Sequence, residues 1–258
     1  MEITIKKEGM FEYVEEGNGP TLVLLHGLFG ALSNWHDVFE QFSDRYRIVI
    51  PLLPIYKKSG VKPSVDALAK YVKEFLDFKG IWKCTVLGNS LGGHIALVFA
   101  LENMDRLEGI VLTGSSGLFE SGMGSTFPRR GNFAYIKERV EYTFYHPQTA
   151  TAELIDEVFE IVNDNYKALR ILKIARAAQR QNLRKDISRI TTRTLLIWGL
   201  NDNITPPNVA HEFHKLLPNS ELRFIDHCGH AAMMEQSQRF NAVLQEFLNQ
   251  IYPIAETA

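Results

Sequence analysis

The chain is poor in cysteine, with Cys84 and Cys228 as its two thiols in 258 residues. That rules out a small scaffold stapled by many disulfides. Each cysteine falls in a segment that reads as a strand or its edge, where cysteine serves as a small buried apolar residue. The expectation is a reduced, cytoplasmic setting, with a single Cys84–Cys228 disulfide as the alternative. Long apolar runs are also missing, and none approaches the roughly 20 residues needed to span a bilayer. Met1 to Lys7 alternates apolar and polar residues and lacks the apolar core of a secretory signal, so a soluble protein is expected. Charge of one sign is absent too. Lys and Arg number 28 against 30 Asp and Glu, a net charge of -2, so no global field recruits nucleic acid or an anionic membrane. No internal repeat or long low-complexity tract is present.

What is present is the composition of an ordinary globular protein, 45% hydrophobic and 22% charged, at a length that suits one large α/β domain with a modest insertion. Glu2 to Lys7 and Phe11 to Glu15 read as a hairpin about Gly9, and Gly17-Asn18-Gly19-Pro20 as a second turn. Thr21 to Leu25 is a continuous apolar run, the pattern of a strand covered on both faces. Tyr46 to Ile50, Cys84 to Leu87, Gly109 to Leu112 and Thr194 to Trp198 are of the same kind. Helical patterns separate them. Val65, Leu68, Ala69, Val72, Phe75 and Leu76 recur at helical spacing behind Ser64, an N-cap residue. Leu91 to Leu101, Val209 to Leu217 behind Pro206-Pro207, and Phe240 to Leu248 are further helices. Strands alternating with helices predict an α/β fold with a doubly wound, mostly parallel sheet of about eight strands.

The alternation stops between residues 115 and 190. Ser121 to Ser125 is rich in small residues and reads as a mobile loop, while Ala152 to Val162 and Tyr166 to Gln181 are helical. A helical cap over residues 115–190 is therefore expected, inserted into a core made of residues 1–114 and 191–258.

The strongest chemical signal is Gly88-Asn89-Ser90-Leu91-Gly92-Gly93, set between an apolar strand and a helical run. Gly-x-Ser-x-Gly alone is weak, and its bland reading is a glycine-rich turn with a surface serine. The strand-to-helix context is what the chemistry requires. Small neighbours admit a sharp turn that lifts the Ser90 hydroxyl above the sheet, and the helix aims its first N–H groups at developing negative charge. His26-Gly27-Leu28-Phe29-Gly30 follows another buried strand, at its carboxyl end, where open α/β sheets bind ligands. From it, the N–H of Leu28 or Phe29 can join that of Leu91 as an oxyanion hole. Asp202, in Trp198 to Pro206, and His230, in Asp226 to His230, each follow a strand of their own. Alone, Asp202 reads as a turn residue and His230 as an idle loop residue. The chain order Ser, Asp, His raises both, making Ser90 the nucleophile, His230 the base and Asp202 the acid that orients it.

Across nearly its whole length the chain resembles the α/β-hydrolase family. Leu195 to Asp202 with Pro206, and Gly229-His230 with Glu235 and Phe240, are similar to that family's acid and histidine segments. His26-Gly27 with Gly88 to Gly93 resembles its capped esterases and serine-dependent C–C bond hydrolases. Serine at position 90 disfavours the aspartate-nucleophile branches. One departure stands out: relatives often carry an Asp-x-x-Gly-x-Gly-like turn where this chain has Pro51-Leu52-Leu53-Pro54-Ile55-Tyr56.

Other residues compete for notice. Asp226, four residues before His230, is expected to make a local hydrogen bond. His211 and His214 lie three apart on a helix without an evident third ligand, so no metal is expected, and no cofactor. His94 reads as a packed histidine. Arg170, Lys173, Arg176, Arg180 and Arg184 form a basic stripe, read first as a solvated face opposite Leu169, Leu172 and Leu183. The sharper alternative is that an arginine, above all Arg176, pairs with a substrate carboxylate, with Phe29 and Asn89 as further substrate contacts. Phe127, Phe133, Tyr135, Tyr142, Phe144 and Tyr145 line an acyl pocket or form the cap's own core. The resemblance implies a small-molecule carboxylic ester as substrate, hydrolysed through an acyl-enzyme. Two alternatives stand beside it: hydrolysis of a C–C bond in a ring-cleavage product, and a ligand-binding receptor that retains the triad. A homodimer is the assembly to test.

Overall fold

The computed structural model describes residues 4–30, 32–57, 60–119 and 129–253. Met1 to Ile3 of the expected first strand, the Ser121 to Ser125 loop and Phe127 lie outside the described residues. The strands are β1 Lys6–Glu8, β2 Phe11–Glu16, β3 Thr21–Leu25, β4 Arg47–Pro51, β5 Cys84–Asn89, β6 Leu107–Thr113, β7 Thr194–Gly199 and β8 Ser220–Ile225. They form one sheet in the order β1-β2-β4-β3-β5-β6-β7-β8. β1 and β2 are the hairpin turning at Gly9, β2 runs antiparallel to β4, and every later pairing is parallel.

Strands without polar alternation are the ones covered on both sides. Every residue of β3, β5 and β7 is buried, because helices pack on each face of the sheet. In chain order the helices are α1 His36–Phe42, α2 Val65–Phe78, α3 Leu91–Asn103, α4 Phe133–Glu141, α5 Ala152–Asn163, α6 Asn165–Arg180, α7 Pro207–Leu216, α8 Ala232–Glu235 and α9 Ser237–Ile251. α2, α3 and α7 share one core layer, and α1, α8 and α9 the other. Ser64 caps α2 as its sequence predicts, its hydroxyl accepting from the Ala67 N–H at 3.3 Å. The strand order reverses beside β3, with β4 on one side and β5 on the other. That switch point opens a crevice beyond the carboxyl ends of β3 and β5.

The inserted helices α4, α5 and α6 lie between β6 and β7, each started by a side-chain cap from Asn132, Thr151 or Asp164. Two sets of hydrogen bonds join this layer to the core. The Glu235 carboxylate accepts from the N–H groups of Gly229, Tyr145 and His146, and the His230 N–H donates to the Thr143 carbonyl at 2.9 Å. On the other side, the Arg170 guanidinium of α6 donates to the carbonyls of Pro54, Ile55 and Val61. Arg170 is buried, which corrects its reading as part of a solvated stripe, and Leu169 is exposed.

Cys84 opens β5, while Cys228 sits in the loop beyond β8 rather than in a strand, and both are free and buried. α3 is apolar around most of its circumference and buried over its first ten residues, the condition for an interior helix. It carries His94, fully buried with no hydrogen-bond partner on either ring nitrogen among the described residues. Burial pushes the His94 pKa down from 6.5 to about 4. An unfolded histidine takes up a proton below pH 6.5 that the folded one refuses until about pH 4. Stability from this group is thus full above pH 6.5 and lost as the pH falls towards 4. The loss between pH 7 and pH 5 amounts to about 2 kcal/mol. Denaturant midpoints at these two pH values should therefore separate less for His94→Leu than for the wild type.

Candidate active site

Ser90 joins β5 to α3 with φ 53° and ψ -118°. A residue with a Cβ is strained there, and such strain persists where surrounding structure over-determines it. Glycines make the turn feasible. A Cβ on Gly88 would lie 2.5 Å from the Gly92 carbonyl oxygen, and one on Gly92 would lie 2.1 Å from that of Leu25. The Ser90 N–H donates to the Thr113 carbonyl at 3.1 Å, and its own carbonyl accepts from Gly93, His94 and Ser116. Backbone bonds on both sides therefore fix the elbow.

Beyond β7, Trp198 donates its indole N–H to the Thr205 carbonyl at 2.7 Å and holds the loop that carries Asp202. One Asp202 oxygen accepts from the N–H groups of Ile204 and Thr205, at 2.8 and 2.9 Å. The other accepts from the Thr205 hydroxyl at 2.8 Å and stands 2.9 Å from His230 Nδ1. A carboxylate buried to 3% exposure and met by this many donors stays an acceptor. It places the proton on Nδ1 of His230 and leaves Nε2 as the basic nitrogen. Asp226 accepts from the neighbouring His227 N–H and remains at the surface.

The turn after β3 is pinned by its carbonyls. Gly27 O accepts from the Gly30 N–H at 3.1 Å and lies 2.9 Å from His26 Nδ1, while His26 Nε2 accepts from the Leu53 N–H. The two contacts fix a neutral His26 with its proton on Nδ1, and complete burial lowers its pKa. Among the described residues the N–H groups of Leu28, Phe29 and Leu91 have no acceptor in the chain, as free oxyanion donors require.

Ser90, His230, Leu28, Phe29, Leu91 and Asn89 all border one cavity of about 630 Å³ beneath the inserted helices. Asn89 uses its amide N–H groups on the carbonyls of Thr113 and His230, so it also ties β5 to the histidine loop. The walls are mainly apolar, with Ile136, Val140, Phe144, Val158 and Ile171 among them. Arg139 and Arg176 are its two arginines, and no described Asp or Glu lines it. Sequence reading singled out Arg176 and missed Arg139, whose Nε is buried with no hydrogen-bond partner among the described residues and whose guanidinium stands 5.4 Å from the Tyr135 ring. The signal was the pair Tyr135 and Arg139 at i, i+4 on one helix. Arg180 does not reach the cavity, and Arg184 pairs with Glu212 at 2.6 Å. Of the candidate aromatics, Tyr135 and Phe144 line the cavity, Phe133 packs on Phe159, and Tyr142 and Tyr145 are exposed. His214 bonds Ser220 and His211 packs against the Phe224 ring at a tilt. Among the described residues no group of three or more His, Cys, Asp or Glu side chains gathers as a metal site, and no helix is long and apolar enough to cross a membrane.

The family model of the alpha/beta hydrolase fold matches residues 20–146 and 148–237. The chain belongs to this family. With its triad-like polar residues it is a serine-hydrolase-type enzyme, which sets aside the receptor reading. The alpha/beta hydrolase is 28% identical over 93% of its length to the 2-hydroxy-6-oxo-6-phenylhexa-2,4-dienoate hydrolase of Comamonas testosteroni, covering 92% of that protein. It is 29% identical to the 2-hydroxy-6-oxononadienedioate/2-hydroxy-6-oxononatrienedioate hydrolase of Paraburkholderia phymatum, over 92% of this chain and 90% of that one. A solved alpha/beta hydrolase from the metagenome of sediments from the lagoon of Mar Chica, Morocco, is 42% identical with a TM-score of 0.79, over 96% and 98% of the two chains. The two curated relatives overturn the carboxylic-ester expectation. One is named for a 2-hydroxy-6-oxo-dienoate and the other for a 2-hydroxy-6-oxo-dienedioate and -trienedioate, the substrate type of the C–C alternative. Sequence motifs misled here because one triad serves both reactions, and the motifs around Ser90 report the nucleophile rather than the bond it attacks.

Proposed function

We propose that this alpha/beta hydrolase cleaves a carbon–carbon bond in a ring-cleavage product of the hydroxy-oxo-dienoate type. The observation that carries the reading is the cavity. It has apolar walls, two arginines and no described carboxylate, and Ser90 and His230 lie on its border. Such a space suits a conjugated chain with an anionic end. The inserted helices α4, α5 and α6, within the expected cap 115–190, serve as its lid, and the buried free thiols suit a reducing, cytoplasmic setting.

The chemistry follows from the substrate type. Moving the enol proton from the C2 oxygen to C5 converts the dienol into a vinylogous 1,5-diketone, a transfer within the reach of His230. Ser90 then attacks the C6 carbonyl, with its proton passing to His230 and the oxyanion resting on the N–H groups of Leu28 and Leu91. The C5–C6 bond breaks, and its electron pair is delocalised onto the C2 oxygen, which takes the proton. Water activated by His230 releases the acid from Ser90.

The test is a panel of hydroxy-oxo-dienoates with aryl and carboxylated acyl ends, run against aryl esters and thioesters. A kcat/KM for dienoates well above that for every ester is expected. Esters turned over as well as dienoates would overturn the reading. Arg139→Ala and Arg176→Ala should each raise KM for the dienoates by roughly 10–100-fold, as loss of a charge-assisted hydrogen bond implies. Equal losses on an uncharged amide analogue would show that the arginines serve packing instead.

A further inference from the structure

The segment after β4 is where this chain departs most from the turn expected of its family, and the structure gives that departure a use. Tyr56, half-buried in this segment, donates its hydroxyl proton to the Leu28 carbonyl. The Leu28 carbonyl belongs to the peptide that joins Leu28 to Phe29, in the turn 27–30. A trans peptide is planar, so fixing its C=O also fixes its N–H in the opposite direction and sets the ψ angle of Leu28. A hydrogen bond at the carbonyl further polarises the N–H as a donor. The preceding peptide is pinned in the same way, through Gly27 O. Together the two anchors leave the turn one orientation, with the Leu28 and Phe29 N–H groups free of other acceptors among the described residues.

Tyr56 is itself held. Arg170 reaches from α6 to the carbonyls of Pro54 and Ile55 immediately before it and of Val61 after it, and the Tyr166 hydroxyl donates to the Lys57 carbonyl. Arg170 has no acidic partner among the described residues and spends its guanidinium on this loop. Burial pushes the Tyr56 phenol far above its usual range, so it remains a proton donor at any working pH. A chain of contacts thus runs from a lid helix, through one loop, to the backbone beside Ser90.

We infer that Tyr56 is a positioning residue for the oxyanion turn, and that Arg170 sets Tyr56 in place from the lid. This rests on Ser90 as nucleophile with the turn 27–30 as its oxyanion cradle. Tyr56→Phe removes the hydroxyl and keeps the ring, and Tyr71→Phe is the control, since the Tyr71 hydroxyl bonds the Leu52 carbonyl on the same loop at 3.5 Å and not that of Leu28. The readouts are steady-state turnover of the dienoate and the rate at which a fluorophosphonate labels Ser90, whose phosphoryl oxygen needs the same donors. Tyr56→Phe should lower kcat and the labelling rate in parallel, about tenfold, with KM within twofold, while Tyr71→Phe stays at wild-type rates. A fall of less than threefold in the labelling rate of folded Tyr56→Phe, or an equal fall in Tyr71→Phe, would overturn the brace alone. A wild type that does not label at Ser90 would overturn the nucleophile and the brace together.

Discussion

Ser90→Ala is expected to lower turnover of a hydroxy-oxo-dienoate by at least about three orders of magnitude, with the fold intact. The substitution removes one oxygen from a residue whose backbone is fixed by Thr113, Gly93, His94 and Ser116, so the elbow keeps its contacts. Its φ of 53° is as strained for alanine as for serine, so little change in stability follows. The arginines, the apolar walls and the oxyanion amides all survive, and substrate binding should survive with them. The loss therefore falls on kcat rather than KM, the mark of an interaction made in the transition state. Rapid mixing would show the dienoate bound to the variant and carried no further than its keto tautomer, with the C5–C6 bond uncleaved. Wild-type-like turnover in a cleanly folded Ser90→Ala protein would remove Ser90 from the mechanism.

Much of the molecule is legible in the residues because the physics that sets it is local. β3, β5 and β7 read as continuous apolar runs, and a strand buried on both faces has no reason to alternate. Ser64 announces α2 through a bond reaching three residues on. The elbow is legible because Gly88 and Gly92 are where a Cβ would strike backbone. What sequence cannot carry is contact between distant segments. Arg170 looks like one member of a helical basic stripe until its carbonyl partners, more than 100 residues away along the chain, are seen beneath it. Tyr56 shows no motif, because its partner is a main-chain oxygen. Arg139 and Arg176 sit on different helices, and only the packing of α4, α5 and α6 on one another makes them walls of one cavity. The proposed substrate type escapes the sequence for the same reason, since the cavity walls are assembled from distant segments.

Asp202→Asn should lower turnover by roughly 10³–10⁴-fold while leaving the loop nearly as stable. The amide oxygen can still accept from the N–H groups of Ile204 and Thr205, which fixes how the side chain lies. Its NH2 then occupies the position of the oxygen that stands 2.9 Å from His230 Nδ1. Two donors cannot face each other there, so Nδ1 must give up its proton and accept. The proton moves to Nε2, and the nitrogen that should take the Ser90 proton is already occupied. The Thr205 hydroxyl, 2.8 Å from that oxygen and 3.3 Å from the ring, loses its acceptor on Asp202 and turns to the imidazole, competing for Nδ1. Raising the pH should restore part of the rate, because a Ser90 alkoxide no longer needs a base. The wild type should show no such rise above the point at which His230 is neutral. Asp202→Asn turnover that is as fast as wild type at neutral pH would show that Asp202 caps its turn and does nothing for the imidazole.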